Sequence, residues 1–117
     1  MMRDMELIRQ ILLQVEANDD PQDLVDPVVA GRSEQEISYH VKLAQQAGLV
    51  DALDRSAIGI FRWSANRLTW AGHEFLNSSK DEHLWRQCLG MAGGASASNF
   101  EVLRQLLIDA QMAKRSG

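Results

Sequence analysis

The side chains best suited to catalysis or metal binding are His40, His73, His83, Glu74 and Cys88. "GHEFL" (Gly72–Leu76) opens like a zinc-protease motif, in which two histidines one helical turn apart hold the metal and the glutamate activates water. The position that needs the second histidine is Asn77. No Cys/His pair has zinc-ligand spacing. Cys88 stands alone in "LWRQCLGMA", where apolar neighbours favour a buried thiol over a reactive one. No G-x-S-x-G turn presents a serine nucleophile, and "MAGGAS" lacks the lysine of a phosphate-binding loop. The expectation is a non-enzyme with no catalytic residue, cofactor or metal. His40 then reads as a structural histidine beside an apolar stripe, and His73 with Glu74 as the polar side of a short helix.

A second chemistry is recognition of a polyanion. The net charge of −4 argues against a strong general affinity for one, but the charge is uneven. Glu16, Asp19, Asp20, Asp23 and Asp26 make one segment purely acidic, whereas Arg55, Arg62 and Arg67 make another purely basic. The alternative for both is a pair of solvated loops. Between them lies "EISYHVKLAQQAGLV" (Glu36–Val50). On a helical wheel Ile37, Val41 and Ala44 share one side, with His40 and Ala47 close by. Gln35, Tyr39, Lys42 and Gln46 share the other, with Ser38 at its edge. Gln35, Ser38, Tyr39 and Lys42 are thus candidate readers of a major groove, and the three arginines are candidate phosphate contacts. Against this, the helix lacks the arginine that most often reads guanine, and Glu34 and Glu36 at its start would repel phosphates. Three phosphate contacts give a salt slope of only about −2.7, so useful affinity would need a dimer.

These groups need a frame, and local signals outline it. Asp4 caps a first helix whose Leu7, Ile8, Ile11, Leu12 and Val15 form one apolar stripe, ended by "NDDP". "LVDPVV" (Leu24–Val29) is extended, with Pro27 confining it to an edge. Gly31 turns, Ser33 caps and Glu36 closes a capping box for the second helix, which runs to about Ala47 before a left-handed Gly48. "LVDALDR" and "AIGIFRW" read as a hairpin. Thr69 caps a third helix, "WAGHEFLNS", and a fourth follows a bend near Ser78–Lys80. "AGGASAS" is a joint, and Ser98 with Glu101 forms a second capping box for the last helix. Trp63 and Trp70 both read as inward-facing core residues. The last helix has an apolar face wider than a lone surface helix needs. Phe100, Leu103 and Leu107 either face a dimer partner or pack back as core.

Helix, short strand, helix ending in "AGLV", hairpin, helix is the order of a winged helix. The junction "SYHVKLAQQAGLV" resembles that between recognition helix and wing in ArsR-like and MarR-like bacterial regulators, which carry a similar S-x-H-x-x-x-L-x-x-x-G-L pattern. Ala44 stands where that pattern has a larger apolar residue. Three stretches together, "RDMELIRQILLQVE" (Arg3–Glu16), "EISYHVKLAQQAGLV" and "RLTWAGHEFL" (Arg67–Leu76), resemble a bacterial and phage family of domain of unknown function 2513. The resemblance implies a winged-helix-like domain and no established activity.

A chain of 117 residues with 45% hydrophobic and 24% charged residues has the makings of one ordinary globular unit. One cysteine excludes an intrachain disulfide, and no apolar run nears the roughly 20 residues that span a bilayer. The start lacks the basic-then-apolar order of a secretory signal, so the expected compartment is the cytoplasm. The expected fold class is mainly α with a small β-hairpin (α+β). Residues 1–80 form a winged helix-turn-helix-like domain, and residues 81–117 a C-terminal helical extension packed on the same core or on a dimer partner. The expected function is a DNA-binding regulator-like or accessory protein of phage or mobile-element origin, self-associating and without a membrane. The alternative is a protein-interaction module that keeps the frame and binds no nucleic acid.

Overall fold

Asp4 starts the first helix as expected: its carboxylate accepts from the amides of Glu6 and Leu7, at 3.0 and 3.3 Å. In the computed structural model, which describes residues 1–95 and 99–116, this helix is α1 (Met5–Glu16). The others are α2 (Glu34–Gln46), α3 (Trp70–Ser78), α4 (Glu82–Met91) and α5 (Phe100–Ser116), with strands β1 (Val50–Asp54) and β2 (Trp63–Leu68) between α2 and α3. The fold is α+β, with an arrangement compatible with a winged helix.

All five residues of the α1 stripe are buried, and so are Ile37, Val41 and Ala44 of α2. Ala44 is fully covered, so its small side chain still makes the core contact of its helix. Ser33 accepts from the Glu36 amide at 3.0 Å, but the Glu36 carboxylate turns to Arg32 at 3.3 Å, so only half of the capping box forms. Arg32 also reaches Asp4 at 2.5 Å and ties the starts of α1 and α2 together. Burial works against the Asp4 carboxylate, yet Arg32 and the two capped amides outweigh it and hold the group below the usual carboxylate range.

The hairpin differs in register from expectation. The second strand was expected at Ala57–Trp63, whereas β2 spans Trp63–Leu68, with Val50 opposite Leu68, Asp51 opposite Arg67 and Ala52 opposite Ala65. That pairing leaves Asn66 as the extra residue of a bulge. "AIGIF" instead closes the wing tip, where the amides and carbonyls of Ala57 and Ile60 pair reciprocally at 2.9 Å. On its other edge β2 is joined by Val25, which exchanges two backbone hydrogen bonds with Ala65. Residues 17–33 hold this bridge and turns but no helix.

The C-terminal helices close the same core. Leu103 and Leu107 are fully buried in it, and the Phe100 ring lies 5.3 Å from that of Phe75. Of the two readings of this face, intrachain packing is therefore the one realised. The expectation of a dimer-facing role is corrected for Leu103 and Leu107, which their own chain covers completely, whereas Phe100 is half-buried. The expected cap Ser98 lies outside the described residues; the Asn99 side chain accepts from the amides of Glu101 and Val102. Trp85 is fully buried, donates to the Glu6 carboxylate and carries the Arg9 guanidinium 5.4 Å from its ring centre. Buried Arg9 also donates to the Ser79 carbonyl at 2.9 Å and pairs with Glu82 at 2.9 Å, locking α1 to the bend between α3 and α4.

Candidate interaction surface of the wing and the second helix

α2 presents a polar side to solvent, as its wheel requires. Gln35 is exposed, and Tyr39 and Lys42 are half-buried. Ser38 is not part of that side. Only 7% exposed, it faces inward beside Ile37, so its place among the groove-reading residues is corrected. It sits one step from the apolar stripe and lines a cleft shared with Pro27, Val28 and Arg32. His40 is fully buried: Nε2 accepts from the Asp4 amide at 2.9 Å, and Nδ1 lies 2.8 Å from the Glu36 carbonyl. Nε2 thus holds α2 to the start of α1, while Nδ1 is engaged within α2 itself. His73 and Glu74 are exposed on α3. Burial encloses Cys88 and pushes its thiol pKa up, away from reactive thiolate character.

The three wing arginines are all engaged by carboxylates of this chain. Arg62 lies 2.5 Å from Asp26, and Arg55 lies 3.8 Å from the same group. Arg67 pairs with Asp51 at 2.8 Å, directly across the hairpin. The fold brings Arg55 and Arg62 together and leaves Arg67 at the base of the wing. Asp26 also accepts from the Ser64 hydroxyl. That hydrogen bond, against the cost of burial and with help from Arg62 and Arg55, keeps its carboxyl below the usual range. Asp26 belongs to the acidic segment, for which a solvated loop is one of the two readings the sequence allows. The Val25–Ala65 bridge places it against the hairpin instead.

Beside this clamp runs a cleft of about 380 Å³ between the 26–32 segment, the start of α2 and the wing tip. Its apolar walls are Pro27, Val28, Ile37, Ile60, Phe61 and Trp63. Val28 is 79% and Ile60 60% exposed, and Ile58 stands fully in solvent at the apex of the tip. A shallower recess continues along Glu34 and Gln35 to the tip. Sequence reasoning missed this cleft, although "AIGIF" carried a signal: apolar residues on both sides of a turn glycine have no core face to fill. The paired tryptophans also separate. Trp63 is partly buried against the core, whereas Trp70 is 82% exposed at the start of α3, which corrects the inward reading of both. A helix's first residue can point away from the core when the next turn, here Phe75 and Leu76, supplies the contact.

The stretches that carried the family resemblance converge. Thr69 Oγ1 donates to the Gly48 carbonyl and accepts from the Gly72 amide, so the "AGLV" and "RLTWAGHEFL" segments meet at one residue. Residues 2–98 match the family described as hypothetical protein (DUF2513). The chain belongs to the DUF2513 family. An uncharacterized protein of Haemophilus influenzae (strain ATCC 51907 / DSM 11121 / KW20 / Rd) is 37% identical over 86 residues, 73% of each chain. No solved structure matches. Among the described residues of this DUF2513 member no helix is long and apolar enough to cross a membrane.

Proposed function

We propose that this DUF2513 chain is a non-catalytic protein-interaction module on a winged-helix-like frame. One observation carries the reading: the wing's arginines are occupied by Asp26 and Asp51, while its tip offers apolar side chains to solvent. A phosphate would have to displace a carboxylate already in place before it gained a contact, which weakens the counterion release that drives DNA binding. An apolar tip over a cleft is the kind of surface that mates with protein. Glu34 and Glu36 at the start of α2, and the net charge of −4, act in the same direction.

Duplex DNA is the second reading, favoured by the shared solvent side of Gln35, Tyr39 and Lys42 on α2. Fluorescence anisotropy with a mixed-sequence duplex at low and moderate salt separates the two. The protein-interaction reading expects no binding at low salt. Binding that weakens with salt and drops in an Arg55/Arg62/Arg67→Ala variant would overturn it in favour of DNA.

A further inference from the structure

We infer that the cleft between the wing tip and the start of α2 docks a segment of another protein that carries a bulky apolar side chain next to a lysine or arginine. The inference rests on the protein-interaction reading and assigns its site and the chemistry of its partner. The apolar half of the partner follows from the walls. Val28 and Ile60 border the cleft and remain largely exposed, and Phe61 and Trp63 add ring surface behind them. At about 380 Å³ the cleft has the size of a small ligand pocket, enough for one large side chain.

The walls are also held in place before any partner arrives. The Arg55 amide donates to the Arg62 carbonyl at 2.8 Å, Asp54 accepts from the Ser56 amide at 2.9 Å, and Asp26 grips Ser64 and Arg62 from the opposite side. A tip fixed by these bonds loses little further freedom on binding.

The cationic half follows from charge. Two cations line the cleft, and both are already neutralised: Arg62 by Asp26, and Arg32 by Asp4 and Glu36. Glu34 borders both the cleft and the recess beside it, is exposed, and makes no ion pair among the described residues. The uncompensated charge at the rim is therefore negative. A lysine or arginine beside the buried apolar residue would lie over Glu34, whereas an acidic flank or a phosphate backbone would be repelled there.

A displayed library of random dodecapeptides, selected on the full chain, tests this directly. The expected consensus joins Trp, Phe, Leu or Ile to an adjacent Lys or Arg. Binding of the resulting peptide should fall roughly tenfold or more in Ile60→Ser, as for loss of a central apolar contact. It should fall about fivefold or more in Glu34→Lys, and selection on that variant should exchange the basic flank for an acidic one. Both positions are exposed, and unchanged circular dichroism would show that the variants fold. A consensus whose binding survives both substitutions overturns this site while leaving the protein-interaction reading intact. No enriched peptide, together with retention of duplex DNA by the unaltered chain, overturns both.

Discussion

Thr69 Oγ1 donates to the Gly48 carbonyl at 2.5 Å, and the Thr69 amide donates to the Leu49 carbonyl at 3.0 Å. One residue thereby caps α3 and fastens the point where α2 turns into the wing. Gly48 makes that turn with φ near +77°, a conformation a side chain would disfavour. Gly72, whose amide Thr69 caps at 3.0 Å, lies against the same junction, and a β-carbon there would fall 1.9 Å from the Leu49 carbonyl oxygen.

The closeness of that approach makes Gly72→Ala a severe change, although alanine suits a helix better than glycine. The obstacle is backbone, which cannot rotate aside, so α3 must move off the wing junction. A loss of about 3 kcal/mol or more in urea denaturation is expected. Thr69→Val keeps the shape but removes the cap and the tie, at a cost of about 1–2 kcal/mol, and Thr69→Ser should recover most of it. A Gly72→Ala variant within about 0.5 kcal/mol of the parent would contradict the contact.

Leu103 and Leu107 are intrachain core, so Leu103→Glu and Leu107→Glu should abolish the cooperative unfolding transition rather than release folded monomers. Leu103→Ala should remain folded and lose about 2–5 kcal/mol by the same assay. Folded, cooperative glutamate variants would show that the face is available to a partner after all.

The Asp26 clamp gives the wing an acid-sensitive element. The folded-state pKa of Asp26 lies below its unfolded value, first through the Ser64 hydroxyl and then through Arg62 and Arg55. Its contribution is therefore fully present above the unfolded value of about 3.9 and is lost as pH falls through the lower folded value. Unfolding measured across pH for the parent chain and Asp26→Asn should show the parent more stable by a constant margin from about pH 5 to 7. The curves should converge below about pH 4. A margin that persists at the lowest pH would assign the role of Asp26 to something other than its charge.

The tryptophans should report opposite environments. Trp70→Ser should change stability by no more than about 0.5 kcal/mol, because the ring is mostly in solvent. Trp85→Ala should cost about 3–5 kcal/mol, since it empties a fully buried site beneath Arg9 and breaks the Glu6 contact. Acrylamide should also quench Trp70 much more readily than Trp85 in single-tryptophan variants.

Helix starts and apolar stripes were legible in the sequence because their causes are local. Asp4, Ser33 and Thr69 cap amides two or three residues away, and the α1 stripe follows from spacing alone. The turn at Gly48 belongs to the same class. The acidic segment shows where such reading stops. Nothing near Asp26 in sequence names Ser64 or Arg62 as its partners, yet it clamps the wing while Asp23 remains in solvent.

Composition and periodicity determined by themselves the five helices, the presence of a hairpin after Gly48 and the apolar stripes of α1 and α2, since each rests on signals within a few positions. The place of the second strand and the burial of Ser38 did not follow from them. The tertiary structure alone decided that Asp26 holds Arg62, 36 positions away, that Arg9 locks the bend at Ser79, 70 positions away, that Trp85 rather than Trp70 enters the core, and that the last helix covers its own chain. Those choices depend on where the chain's path brings distant side chains together. A residue's type limits which partners it can accept, but only the path determines which of them it meets.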